Sequence, residues 1–351
     1  MKLRMTGLSV ALLCGYSAAT MAASDVNVKE LRELSQQLFA PIPTAEVVIA
    51  ERKVDPNQIE LGKMLFFEPR LSSSHIITCN TCHSVGTGGA DNIPVAVGHG
   101  WQAGPRNSPT VLNAVFNIAQ FWDGRADDLA EQAKGPIQAS VEMNATPEHV
   151  VTTLLSMPEY VEHFKAAFPG QDNPVTFDNM AKAIEAFETT LVTPNAKFDQ
   201  FLEGKDALND EEIVGLNLFI TKGCVGCHGG VNVGGQGYFP FGVVQRPGGL
   251  LKESDRGRFM VTETASDEYV FRAGPLRNIA LTAPYFHNGE VWDLEEAVAI
   301  MGTSQLGADL SKQEIKAITA FLNTLTGDQP KVEYPTLPAS TPDTPKPAPM
   351  M

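Results

Sequence analysis

The sequence predicts a mainly α-helical chain of two similar domains, and three observations carry that expectation. The pattern CxxCH occurs twice, as Cys79-Asn80-Thr81-Cys82-His83 and as Cys224-Val225-Gly226-Cys227-His228. Each copy follows an apolar segment containing GxxLF: Gly62-Lys63-Met64-Leu65-Phe66 before the first, Gly215-Leu216-Asn217-Leu218-Phe219 before the second. Around both copies, apolar residues recur three and four positions apart behind capping residues, which is the spacing of one helix face. The shared string sits in the same place relative to each motif, so the chain reads as a duplicated unit.

Lys2 and Arg4, the apolar run Leu8 to Leu13 and the small residues of Ala18–Ala23 read as a secretory leader over residues 1–22. That run is too short to span a bilayer, and no later segment reaches the ~20 apolar residues a membrane helix needs. Val28, Leu31, Leu34 and Leu38 predict a helix behind Asn27, a plausible cap. Asp55 caps a second, with Pro56 at its first position, running through Ile59, Leu61, Leu65 and Phe66 to the first motif. Thr146-Pro147 opens another with Val150, Val151, Leu154 and Leu155; Met157-Pro158 opens the next with Tyr160, Phe164 and Phe168. Met180, Ile184, Phe187 and Leu191 mark one more helix face, and Pro194 ends it. A first domain over 23–194 follows.

The second domain, 195–327, begins similarly. Asn209 and Glu212 form a capping-box pattern ahead of Ile213, Leu216, Phe219 and Ile220, which lead to the second motif. Residues 229–280 are glycine-rich, with short β-like runs such as Arg258–Glu263. Further boxes pair Asp293 with Glu296 and Ser311 with Glu314; the second of these helices carries Ile315, Ile318, Phe321, Leu322 and Leu325. Residues 328–351 form a proline-rich polar tail, expected to drape over the surface or lack fixed structure.

CxxCH is the attachment pattern of a c-type haem. Two cysteines on one helical turn form thioethers with the haem vinyl groups, and the following histidine sits under the iron. Zinc ribbons and thioredoxin-like pairs also use CxxC. A ribbon brings its second pair within ~15–20 residues, however, and a thioredoxin motif does not call for the histidine. The expected cofactors are therefore two covalent haems, on Cys79, Cys82 and His83 and on Cys224, Cys227 and His228. Of the five cysteines, only Cys14 lies outside the motifs, within the leader, so no disulfide framework exists despite a leader pointing to an oxidising compartment. Both facts fit the periplasm. The net charge of −15, or −17 once Lys2 and Arg4 are removed, argues against nucleic acid and anionic membranes as partners. It suits a basic redox partner.

The sixth iron position decides between carrying electrons and activating a small molecule. His99 lies in Gly86–Gly104, a segment with six glycines that permits large backbone rearrangement. By itself it reads more readily as a loop histidine than as a ligand, and Met301, in Ile300-Met301-Gly302, more readily as core.

In order along the chain, the motifs include His99 in its glycine-rich loop, Phe121-Trp122-Asp123-Gly124-Arg125, Gln132 and Ser140-Val141-Glu142-Met143. They continue with Thr282-Ala283-Pro284-Tyr285-Phe286-His287-Asn288-Gly289 and Met301-Gly302 before Gln305-Leu306-Gly307. With the two CxxCH sites, this set resembles the bacterial dihaem cytochrome c peroxidases over almost all of the sequence after the leader. The resemblance implies two cytochrome c-like domains in a mainly α fold, reducing hydrogen peroxide to water. It implies a peroxidatic N-terminal haem with His99 as displaceable ligand, and an electron-entry C-terminal haem ligated by His228 and Met301. Glu142 would be the acid/base group and Gln132 would position peroxide, while Trp122 lies between the haems. Calcium would bind the Asn107 side chain and the Thr282 and Pro284 carbonyls. Electrons would come from a small cytochrome c or cupredoxin, and the chain would form a homodimer. The alternatives are a non-enzymatic dihaem electron carrier and a MauG-like protein-oxidising enzyme, in which a tyrosine would stand at Met301.

Overall fold

The computed structural model describes residues 26–348; the leader expected over 1–22 lies outside them. The chain begins with α1 (Val28–Leu38), α2 (Ala45–Arg52) and α3 (Pro56–Phe66), and the first CxxCH forms a single turn, α4 (Cys79–Cys82). Helices α5 (Leu129–Gln138), α6 (Pro147–Leu155), α7 (Pro158–Ala167) and α8 (Phe177–Glu188) complete the first half. The second half holds α9 (Lys197–Leu202), α10 (Asp210–Thr221), α11 (Phe259–Thr262), α12 (Leu294–Met301) and α13 (Lys312–Asn323). Two short strands, β1 (Tyr238–Pro240) and β2 (Val270–Arg272), pair antiparallel with Tyr238 opposite Arg272.

The caps act as their sequences suggest. Asn27 accepts from the Glu30 N–H, Asp55 from that of Asn57, and Asp293 from that of Glu296. Asn209 with Glu212 and Ser311 with Glu314 close reciprocal boxes. Each such cap contributes about 1 kcal/mol by satisfying a backbone N–H that the helix leaves free.

Two apolar clusters form the cores. In the first, α3 and α8 bury Leu61, Leu65, Phe66, Ile184 and Phe187. In the second, α10 and α13 bury Leu216, Phe219, Ile318 and Phe321. The GxxLF string has a physical reason in both. A Cβ on Gly62 would lie 1.7 Å from the Ala183 carbonyl oxygen, and one on Gly215 would lie 1.9 Å from that of Ala317. In each half the glycine lets two helix backbones touch, and the Cβ of the next phenylalanine, Phe187 or Phe321, stands 3.0 Å from that missing Cβ. The repeat is one of packing geometry as well as of letters.

Several elements differ from expectation. Helix α1, assigned to the first domain, packs into the second cluster, where Phe39 meets Phe198 edge-on at 5.2 Å. In return, the tail packs Val332 and Leu337 onto the first cluster. Periodicity shows which face of a segment is apolar, not which core receives it. The run Arg258–Glu263 forms the helical turn α11 instead of a strand, because Val261 and Thr262 donate back to the Arg258 carbonyl. Helices α2, α5 and α9 had no strong sequence signal; in α5, Pro136, which has no N–H to donate to the Gln132 carbonyl, masked the pattern.

The halves are tied by charge and by rings. Arg106 donates to Asp123 at 2.6 Å and grips Asp255 through two bonds of 2.7 and 2.6 Å. A third apolar cluster, around β1 and β2, packs Trp122 of the first half against a group that includes Phe271 and Tyr285.

Candidate active site

Each CxxCH motif is a rigid turn presenting a histidine. Thr78 caps α4 in a reciprocal box with Thr81, and the His83 N–H closes the turn on the Cys79 carbonyl at 2.9 Å. The His83 Nδ1 donates to the Pro109 carbonyl at 2.9 Å. In the second motif the His228 N–H bonds the Cys224 carbonyl at 3.1 Å, and its Nδ1 donates to the Gly274 carbonyl at 3.1 Å. A carbonyl only accepts, so each Nδ1 carries the proton and each Nε2 is left as a neutral ligand. Burial favours that form, lowering the pKa of His83 and taking that of His228 down to about 4.

The four cysteines are unpaired by disulfides. Burial pushes their thiols up, Cys82 to about 12 and Cys224 to about 11. Thiols held neutral in this way do not suit a thiolate zinc site or a redox pair. Among the described residues, no group of three or more His, Cys, Asp or Glu could hold a metal. A macrocycle bringing its own equatorial ligands fits the donor set: two thiols on one turn, and a histidine bare at Nε2.

A cavity adjoins each motif. The first, about 380 Å³, is lined by Cys82, His83, Trp122, Gln132 and Glu142. The second, about 230 Å³, is lined by Cys224, Cys227, His228 and Met301. Asn107 to Thr110, Trp122 and Arg272 belong to both linings, so a single layer of protein separates the cavities. The Trp122 Nε1–H donates to the Asn107 carbonyl at 2.9 Å, fixing the indole in that layer.

The candidate residues divide as follows. Glu142 and Gln132 share the first cavity with His83. Burial raises the Glu142 carboxyl above its ordinary value, and the Arg125 charge opposes the rise. His99 does not line this cavity. It is buried, with Nδ1 3.2 Å from the Ser73 hydroxyl and its backbone N–H on the Glu142 carbonyl at 2.7 Å. Met301 faces the second cavity at the end of α12, where a π-helical turn, Gly302–Leu306, takes over. Such turns recur at functional sites. Asn107, Thr282 and Pro284 all line the second cavity, and the Asn107 amide N–H group donates to the Ile93 and Pro94 carbonyls at 3.0 and 3.3 Å.

Three residues at or near the first cavity had no role in the sequence reading, although Arg125 stood in one of its motifs. Glu188, on α8, lines the first cavity with one carboxylate oxygen lacking a partner; burial, with the Glu185 charge, pushes it up to about 8. Arg125 lines the same cavity, its guanidinium 3.4 Å over the Phe121 ring. Ser73 holds His99. Glu188 sits on a helix face that periodicity assigns to the core, and nothing local distinguishes Ser73 from its serine neighbours.

A duplicated helical fold with a CxxCH turn at each of two adjoining cavities defines a dihaem c-type cytochrome. Residues 56–207 match the family model for di-haem cytochrome c peroxidase, and residues 214–326 that for cytochrome c. The cytochrome c551 peroxidase of Pseudomonas aeruginosa is 61% identical, over 91% of this chain and 92% of that one. That of Nitrosomonas europaea is 49% identical, over 90% and 96%. The methylamine utilization protein MauG of Methylorubrum extorquens is 32% identical over 92% of each. Among solved structures, a MauG-like protein associated with microbial copper homeostasis superposes with a TM-score of 0.72 at 27% identity, covering 82% of this chain and 93% of that one. The chain belongs to the di-haem cytochrome c peroxidase family and is an oxidoreductase holding two c-type haems.

Proposed function

We propose that peroxide is reduced in the cavity at His83 and that electrons enter at the cavity around His228 and Met301. The observation that carries this is the grouping of Gln132 and the raised carboxyl of Glu142 with His83, while His99 lies outside that lining. When bound, the haems supply the electrons and the iron at which the O–O bond breaks.

The protein moves the proton. Gln132, a neutral amide, holds the peroxide by hydrogen bonding. Glu142 takes a proton from one peroxide oxygen and returns it to the oxygen that leaves as water. Burial raises its pKa toward the working pH, where a group can both accept and return a proton. Trp122, common to both cavity walls, packs between the two sites and serves electron transfer across them. His99 is the displaceable ligand, stored away from the iron in this arrangement.

Met301 supports a peroxidase over a MauG-like enzyme, which would have tyrosine there, and thioether ligation raises the potential of the entry site. Calcium would take the Asn107 side-chain oxygen and the Thr282 and Pro284 carbonyls, an uncharged all-oxygen set that suits this ion. The names of two relatives, cytochrome c551 peroxidase, support a small c-type cytochrome as donor, with a cupredoxin as the other candidate. The periplasm rests on the leader and the paired haem motifs. No helix among the described residues is long and apolar enough to cross a membrane. The homodimer rests on the resemblance alone.

The test is peroxide-dependent oxidation of a reduced small cytochrome c or cupredoxin, with haem content verified. Turnover supports the reading. A fully loaded protein that transfers electrons without consuming peroxide is a carrier.

A further inference from the structure

Residues 328–348 have no part in the proposed reaction, yet they are anchored on the first domain. The Tyr334 ring packs against that of Phe67, tilted by 52° with centroids 4.8 Å apart. Arg70 donates to the Pro338 carbonyl at 2.8 Å and to the Ser340 hydroxyl at 2.9 Å. Arg70 is itself gripped by the buried Glu68 through two bonds of 2.6 Å, and the Tyr160 hydroxyl donates to the same carboxylate at 2.7 Å. Further on, the Thr341 hydroxyl donates to the Ser156 carbonyl at 2.9 Å, and the hydroxyls of Thr344 and Ser156 lie 2.9 Å apart. The strap reaches the proposed gate at Ala348, whose N–H donates to the Ser73 carbonyl at 2.7 Å.

Ser73 is where three segments meet. Its carbonyl takes the strap, its N–H donates to the Met143 carbonyl at 3.0 Å, and its hydroxyl lies 3.2 Å from His99 Nδ1. A serine side chain is short, so its hydroxyl reaches His99 only while its backbone is held in place. Backbone bonds on both sides supply that hold. The flanks of His99 are Gly98 and Gly100, the latter at φ +65°, so the histidine's loop can adopt a second arrangement when released.

We propose that Ser73 is a positioning residue that stores His99 outside the peroxide cavity, and that the docked C-terminal strap stabilises this open arrangement. The inference rests on His99 being the displaceable ligand. A bond made in only one of two states shifts the equilibrium toward that state. One hydrogen bond corresponds to roughly a 2–10-fold shift.

The test compares absorption and electron paramagnetic resonance spectra of the haem-loaded, one-electron-reduced protein. Four forms are needed: parent, Ser73→Ala, Ser73→Thr, and a chain stopped after Val332–Leu337 so that the core packing of the tail is kept. Ser73→Ala and the shortened chain should each raise the low-spin to high-spin ratio at the His83 site by roughly 2–10-fold. Ser73→Thr, which keeps the hydroxyl, should stay near the parent. Adding His99→Gly to the shortened chain should restore the high-spin signal. Hydrogen exchange gives an independent reading: residues 341–348 of the parent should be better protected in the one-electron-reduced than in the oxidised protein. Unchanged spin ratios in Ser73→Ala, or equal protection in both states, would overturn the proposal. Peroxide turnover of the parent is measured alongside. Its absence defeats the peroxidase reading, whereas turnover with unchanged spin ratios defeats the latch alone.

Discussion

The backbone N–H of His99 donates to the carbonyl of Glu142 at 2.7 Å, so the proposed gate and the proposed proton carrier are one hydrogen bond apart. Their loops touch directly: a Cβ on Gly98 would lie 2.4 Å from the Val141 carbonyl oxygen and 2.6 Å from the Glu142 Cα. In the proposed gating, moving His99 into the His83 cavity would break this contact, so storing the histidine and placing Glu142 would be one arrangement.

That contact can be tested without altering either residue. Gly98→Ala should push the two loops apart, because neither backbone neighbour can move aside alone. A displacement of about 1 Å at a reacting group costs on the order of 100-fold in rate, so steady-state peroxide turnover should fall by about that factor. Turnover within twofold of the parent would show that the contact does not set the site.

Glu142→Gln keeps the side-chain size and removes proton transfer. General acid–base groups contribute ~100–10,000-fold, so turnover should fall by at least the lower figure. The haem absorption spectrum should be unchanged, since Glu142 is not a ligand. Near-normal turnover would return Glu142 to an ordinary carboxylate.

Much of this was legible in the sequence. The two CxxCH turns, their capped approach helices and the shared GxxLF string rest on local rules, so periodicity and caps reveal them. The exchange of α1 and the tail between the two cores is a tertiary choice that no local pattern encodes. Glu142 and Gln132 were put forward from motif order alone, since a lone carboxylate or amide on a segment has no signal of its own. Ser73 and Glu188 acquire meaning only through partners distant in sequence, His99 and the His83 cavity.

Gly62→Ala and Gly215→Ala should each destabilise their own half. The new methyl would overlap a backbone carbonyl, at 1.7 and 1.9 Å respectively, which a side-chain adjustment cannot relieve. Overpacking costs typically about 1–3 kcal/mol, and contacts this short belong at or beyond the upper end. Thermal unfolding followed by circular dichroism measures it.

Glu188 should give a pH-dependent stability of definite sign. Its folded value of about 8, raised by burial, lies above the ordinary carboxylate value of 4.5. Between those values the folded protein keeps the proton and the unfolded chain has released it, so stability falls as pH rises through the window. Glu188→Gln has no proton to lose. Relative to this variant, the parent should lose up to a few kcal/mol between about pH 5 and pH 8 in denaturant titrations. Parallel curves would place the Glu188 charge in contact with water.

The division of labour between the two cavities is tested most directly by a spectroelectrochemical redox titration of the haem-loaded protein and Met301→His. Thioether ligation favours the ferrous state, so the parent should titrate in two well-separated steps, with the first electron going to the His228 site. Imidazole donates more strongly, so Met301→His should lower that first potential and leave the His83 step unmoved. An unchanged high potential in the variant, or a first electron entering at the His83 site of the parent, would contradict the assignment of the entry and peroxide sites.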